Sequence, residues 1–215
     1  MTSPRRSWAA ASDQEILAAY LDGTDREGAF GALVDRYERR VYGICYRYFG
    51  NHADAEDAAQ DTFVAVARRA ATFTGGSAFS TWLYRVTVNA CNDLARKRAR
   101  RPQTPVADIV GVVDRSSAGD PSLPQDEAVT AHELGREVQR ALGELDEVSR
   151  TLLILVAIEG LTYREAAAAS DLPVGTVKSR VHRARARLAD LLATTVGGDL
   201  STDDRNPGGG DGIQP

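Results

Sequence analysis

The side chains of this chain that could do chemistry are polar and basic groups arrayed for recognition rather than for bond-making. Lys178, Ser179, His182 and Arg183 fall on one side of a helical repeat of about 100° per residue, while Val177, Val181, Ala184, Leu188 and Leu191 fall on the other. Cations at this spacing can meet guanine edges or phosphates. A hydroxyl and an imidazole beside them can donate or accept at base edges. The sequence offers no nucleophile with its base, no metal-ligand cluster and no phosphate-cradling glycine loop. No catalytic residue, metal or cofactor is therefore expected. Cys45 and Cys91 lie far apart, without metal-type spacing and each in an apolar-periodic segment, as small buried hydrophobes do.

The elements that must position these side chains are legible around them. Thr162-Tyr163-Arg164-Glu165 has the form of a capping box, in which the threonine accepts from the third helical amide and the glutamate reaches back to the threonine amide. Ala166 to Ala169 follow, small enough for close helix approach. Ser170 to Pro173 break the helix, since Pro173 has no amide to donate. A new helix is expected from Val174 or Gly175. A solvated basic helix would carry the same charges, but the capping box, the turn and the separation of faces together describe a helix-turn-helix, spanning roughly Glu133 to Leu192.

Earlier in the chain, Asp54 to Ala70 reads as a helix with an acidic start that suits the helix dipole. Its expected core stripe is Ala59, Phe63, Val66 and Ala70. Asp57, Gln60 and Asp61 take another face, which composition alone cannot distinguish from a solvated one. Phe73 to Ser80 contains Gly75, Gly76 and Ser77 and reads as a loop. A long helix from about Ser80 to Arg100 follows, ending in the basic cluster Arg96, Lys97, Arg98, Arg100 and Arg101. Aromatic residues beside a flexible loop, with cations beyond, suit single-stranded nucleic acid, where bases stack and cations hold phosphates. Trp82 is expected to pack in the core.

The whole chain frames these segments. It has 215 residues, a net charge of −4 and 43% hydrophobic residues, enough apolar material for two small cores. Its charge is segregated: basic residues cluster near 96–101 and 178–187, acidic ones near 54–61 and 108–127. Such segregation suggests one surface for nucleic acid and another for protein. Both blocks, about 12–100 and 131–195, show helical periodicity and no convincing strand series. Residues 1–11 read as a short polar arm. Residues 101–130, with Pro102, Pro105, Pro121 and Pro124, read as a flexible acidic linker, and 196–215 as a disordered tail with no assigned role. No apolar run reaches the ~20 residues of a membrane span, and no signal peptide is visible. A cytoplasmic protein without membrane insertion is expected.

The order of segments resembles extracytoplasmic-function sigma factors, the short group 4 members of the sigma-70 family of bacterial RNA polymerase subunits. The segments are Asp54 to Phe63, Phe79 to Arg85, Val88-Asn89 and Pro173 to Arg180. Val86 to Asp93 resembles, in particular, a sigma-M-like actinobacterial group. The resemblance implies an all-α fold in which sigma region 2 (12–100) and sigma region 4 with its helix-turn-helix (131–195) are joined by the flexible linker. It implies that Asp57, Gln60 and Asp61 bind the clamp helices of the largest polymerase subunit, with the flap region as a second polymerase contact. Phe73, Ser77, Phe79, Ser80, Asn89 and Arg96 would contact the melted −10 strand, and Lys178, Ser179, His182 and Arg183 the −35 element. The partners implied are core RNA polymerase, promoter DNA and an anti-sigma factor. Two other readings use the same residues: a stand-alone helix-turn-helix regulator, which would bind its site without polymerase, and a helical scaffold that binds only protein.

Overall fold

The computed structural model describes residues 8–100 and 125–198, with 125–132 and 195–198 described by backbone alone. All regular structure among the described residues is helical. The expected linker and tail lie outside them except at their edges. The helix expected from 131 already begins at Gln125, and the last helix runs to Gly198.

Four helices build the first domain: α1 (Asp13–Asp22), α2 (Arg26–Phe49), α3 (His52–Arg69) and α4 (Phe79–Ala99). Ser12 caps α1 in a full capping box: its hydroxyl accepts from the Glu15 amide at 3.3 Å, and the Glu15 carboxylate accepts from the Ser12 amide at 2.8 Å. The polar arm is shorter than expected. Trp8 is buried, and its indole N–H donates to Asp25 at 3.0 Å, the same carboxylate that caps α2 through the Gly28 amide. Arg36 then holds the carbonyls of Trp8 and Ala11 at 3.3 and 2.7 Å. An aromatic that fills a core edge thus overrides a polar local sequence.

Ile16, Leu33, Val41, Val66 and Leu83 are fully buried at the centre of this domain. Cutting such a leucine to alanine costs about 2–5 kcal/mol. Cys45 on α2 meets Cys91 on α4 in the same core, sulfur to sulfur at 3.7 Å. That contact and burial push the Cys91 thiol up, which favours the neutral, hydrophobe-like form.

The buried stripe of α3 differs from the expected one. Ala55, Ala58, Thr62 and Val66 face inward, while Ala59 and Phe63 are half-buried flanks. Thr62 was not on the expected stripe. Its hydroxyl donates to the Ala58 carbonyl at 2.7 Å, which satisfies the oxygen within its own helix.

The second domain comprises α5 (Gln125–Gly143), α6 (Glu147–Leu153) with a π-helical continuation through Ile158, α7 (Tyr163–Ser170) and α8 (Val174–Gly198). Its core centres on Leu142, Leu152, Ile154, Leu155, Val177 and Val181. The apolar stripe expected on α8 is the observed one, with Leu188 and Leu191 less deeply placed than Val177, Val181 and Ala184.

The two domains are in contact. Ile44 on α2 and Tyr84 and Val88 on α4 are buried in the second domain's cluster rather than their own. Arg150 donates to the Tyr48 carbonyl at 2.6 Å, Gln139 to the Arg47 carbonyl at 3.2 Å, and the Tyr48 hydroxyl to Glu147. The expectation of two bodies joined only by a linker missed this contact, because α2 and α4 each carry an apolar stripe beyond the one their own domain uses.

Candidate nucleic-acid interface

α4 is the organising element. Leu83, Cys91 and Leu94 face the first core, Tyr84 and Val88 face the second domain, and Trp82, Arg85, Val86 and Asn89 line a cavity of about 450 Å³. The far wall comes from the end of α3 and the loop after it: Arg69, Thr72, Phe73, Thr74, Gly76 and Ser77. Gly75, at φ +77°, turns the loop where a side chain would be strained. The cavity therefore has two aromatic rings, Phe73 and Trp82, with centroids 5.8 Å apart. It also has an exposed amide, Asn89, and two guanidinium groups, Arg69 and Arg85. Flat apolar rings, a bidentate amide and flanking cations are the parts needed to hold an unstacked base and its phosphate.

The six residues expected at the −10 strand divide over this geometry. Phe73, Ser77 and Asn89 line the cavity. Phe79 does not; it is 4% exposed and packs between Tyr37, Phe73 and Trp82, with ring centroids 5.6 Å away in each case. Its place is behind the wall, supporting Phe73. Ser80 is half-buried in the first turn of α4, outside the lining. Arg96 lies well along α4, paired with Asp93 at 3.1 Å on an exposed face. Trp82, expected in the core, is half-buried and belongs to the lining. Arg69, Arg85, Thr72 and Thr74 were missed: each looks like an ordinary surface residue until the loop folds back.

The second site is convex. The Thr162 hydroxyl accepts from the Glu165 amide at 3.2 Å and the Glu165 carboxylate accepts from the Thr162 amide at 2.8 Å, so the capping box is complete. Donation to the carboxylate from the Thr162 hydroxyl, at 2.7 Å, and from its amide holds the Glu165 carboxyl below its ordinary range. Asp171 closes α7 in a left-handed conformation at φ 55°, and the Leu172 amide donates back to the Ala167 carbonyl at 3.1 Å. The Pro173 carbonyl then accepts the first bond of α8, from the Val177 amide at 3.0 Å. Lys178, Ser179, His182 and Arg183 are all exposed on the outer face of α8. Ser179 and Arg183 also lean on the helix, donating to the Thr176 and Ser179 carbonyls at 3.0 and 3.3 Å. Arg180 points elsewhere, to Asp146 at 3.4 Å. Asp146 caps α6 by accepting from the Ser149 amide at 3.0 Å, and its carboxyl is held low chiefly by the Ser149 hydroxyl.

The acidic helix presents a third surface. Asp57, Gln60 and Asp61 are exposed together on α3, and Val64, one turn on, is 41% exposed. An apolar side chain beside carboxylates, on a face left largely exposed among the described residues, is what a protein partner can cover. Val64 was missed because it fits a core stripe equally well. Asp54 does not belong to this surface. It is 4% exposed, its carboxylate accepts from the Asn51 side-chain amide at 3.1 Å, its backbone amide donates to the Asn51 side-chain oxygen at 2.9 Å, and it pairs with Arg98 of α4. Arg98 is thereby withdrawn from the basic cluster, and it also comes within 4.0 Å of Asp57. Among the described residues no group of His, Cys, Asp and Glu side chains could hold a metal, and no helix is long and apolar enough to cross a membrane.

This arrangement matches known proteins along most of its length. Residues 33–101 match Sigma-70 region 2 and residues 135–188 match Sigma-70, region 4. The ECF RNA polymerase sigma factor SigE of Mycolicibacterium smegmatis is 36% identical over 189 residues, covering 86% of this chain and 71% of that one. The ECF RNA polymerase sigma factor SigM of Mycobacterium tuberculosis is 38% identical over 181 residues, covering 84% and 85%. These identities are close enough that they assign the family without separating a sigma-M-like subgroup. Among solved structures, the sigma factor RpoE in complex with the anti-sigma factor NepR from Bartonella quintana aligns with a TM-score of 0.58 at 26% identity, over 76% of this chain and 96% of that one. With a cavity on one helical domain, a helix-turn-helix on the other and this likeness spanning both, the chain belongs to the extracytoplasmic-function family of RNA polymerase sigma factors.

Proposed function

We propose that this sigma factor grips a promoter at two points while core RNA polymerase holds it by the acidic face of α3. Residues 12–100 act as the polymerase-binding and −10 domain, and 131–195 as the −35 domain, with 101–130 as the connection. Phe73, Trp82, Ser77 and Asn89 receive an unpaired base of the −10 strand, with Arg69 and Arg85 on the flanking phosphates. Lys178, Ser179, His182 and Arg183 enter the major groove at the −35 element. The observation that carries the reading is the cavity, since a duplex reader has no use for a base-sized hollow flanked by rings and cations.

Extruding a base costs a few kcal/mol, which stacking and amide contacts can offset. A chain of net charge −4 is poorly suited to hold free duplex on its own, and polymerase supplies the missing affinity by fixing both grips at once. The chain performs no bond-making step of its own and works in the cell interior, where polymerase is. An anti-sigma factor is the expected regulator, as for the relative solved with one.

The test is run-off transcription with core polymerase on duplex and pre-melted promoters, comparing the wild type with Asp61→Arg. Asp61 is exposed and makes no contact that the fold requires. The substitution should abolish core binding, since a like charge set against a complementary surface costs several kcal/mol, and leave helicity unchanged. Wild-type pull-down of core by this variant would remove α3 as the docking face. A gel shift on promoter DNA that is equally strong without polymerase would favour the stand-alone regulator instead.

A further inference from the structure

We propose that Cys45 and Cys91 form a site of two-electron oxidation, at which a hydroperoxide converts the two thiols into a disulfide that fastens α2 to α4. The inference stands apart from the promoter reading above, since both cysteines are buried and neither lies in the cavity lining or on the exposed faces of α3 and α8.

These are the chain's only two cysteines. They stand 46 positions apart, on α2 and α4, and the fold brings their sulfurs to 3.7 Å. Both are 0% exposed, in a core of aliphatic and aromatic side chains. At that distance the two sulfurs touch. A disulfide bond is about 2.05 Å long, so roughly 1.7 Å of approach remains, which small side-chain rotations on two adjoining helices can supply. The product suits its surroundings. A disulfide carries no charge, whereas a sulfinate would place an unpaired anion in the core.

The step balances with the hydroperoxide as oxidant. One thiol gives up its proton and its sulfur attacks a peroxide oxygen. The O–O bond breaks, water or an alcohol departs, and that sulfur is left as a sulfenic acid. The second sulfur gives up its proton and attacks the first. The S–S bond forms, the S–O bond breaks and water leaves. Two electrons have passed from the pair of sulfurs to the peroxide. Because the second sulfur is already in contact, the sulfenic acid is resolved before it is oxidised further.

Burial sets the pace. The thiolate is the reacting form, and the neighbouring sulfur and burial hold Cys91 as the thiol. The reaction therefore goes through brief openings of α4 from α2. The pair ignores a passing oxidant and answers a lasting one. Once formed, the bond closes a long span of chain, which restricts the unfolded state far more than the folded one. The linked domain should outlast the reduced one under the same oxidising conditions.

The full chain, first reduced and then held in hydrogen peroxide, tests this. Maleimide labelling in denaturant should add two labels to the reduced chain and none to the oxidised one. The peptides that carry Cys45 and Cys91 should then be recovered as one linked species, and dithiothreitol should restore both labels. The melting temperature of the oxidised chain, followed by circular dichroism, should be higher by at least about 5 °C and return on reduction. Cys45→Ala and Cys91→Ala, with one thiol each, should show no such rise. Two labels still present after prolonged peroxide, oxygen added to either cysteine peptide in place of the link, a covalent dimer, or an oxidised chain that melts no higher than the reduced one would each overturn the proposal.

Discussion

In the proposed two-grip reading, the cavity on α4 and the outer face of α8 answer the same problem, holding DNA, in opposite ways. The α8 face is four exposed side chains on one helix, so its geometry follows from the helical repeat alone. The cavity takes one wall from α4 and the other from the end of α3 and the loop beyond it, so its geometry exists only once the domain has folded. The difference is mechanical as well. A convex face can be offered to an intact duplex, whereas a hollow of about 450 Å³ can take a base only after pairing has been lost. The domain that must wait for melting is the one that needs a preformed, rigid receptor.

The largest effect that would sharpen this contrast is expected at the cavity. Phe73→Ala with Asn89→Ala removes a stacking ring and the amide, together worth about 2–4 kcal/mol. Open-complex formation should slow strongly on duplex promoters and much less on pre-melted ones, followed by a fluorescent base at the −10 position. Equal slowing of closed-complex binding would break the distinction. Next comes Arg183→Ala, expected to weaken −35-dependent binding by about 1–3 kcal/mol if its guanidinium meets a base edge. A loss that is the same on every −35 sequence would make it a phosphate contact.

The smallest is Thr162→Ala, which should cost the second domain about 0.5–2 kcal/mol and leave the cavity untouched, read by hydrogen exchange of the α7 amides. Its pH dependence has a fixed sign. Thr162 holds the Glu165 carboxyl below its ordinary value of 4.5. A depressed folded-state value gives stability that is complete above 4.5 and lost as pH falls through the lowered value. The gap between wild type and Thr162→Ala should therefore narrow in acid. A gap that widened there would mean that the carboxylate is not the reciprocal partner.

How much could be read in advance follows the same division. The helix-turn-helix was legible to its caps, because Thr162, Glu165 and Pro173 act within a few residues of where they stand. The start of α3 was misjudged by two residues and its inner stripe by part of a turn, because Thr62 satisfies its own hydroxyl and so can be buried like a valine. Phe79 and Trp82 exchanged their expected roles, since which of two nearby aromatics reaches the lining depends on how the loop at Gly75 turns. Nothing local marks Arg69 or Arg85 as neighbours. Ile44, Tyr84 and Val88 fit a helical repeat without saying which core they belong to, and that question is settled only by a second domain arriving from elsewhere in the chain.

The three-way sorting of α4 has a consequence for genetics. Along Phe79–Leu94 the helix has almost no side that is only wet. A saturating set of substitutions there should therefore sort into three recurrent phenotypes rather than a gradient of severity. Changes at Leu83, Thr87 and Cys91 would lower protein abundance. Changes at Arg85 and Asn89 would silence promoters at normal abundance. Changes at Tyr84 and Val88 would loosen the contact between the two domains. Plotted against position, the three classes would rotate with the helical repeat, so that a screen of colonies would retrace the turn of the helix.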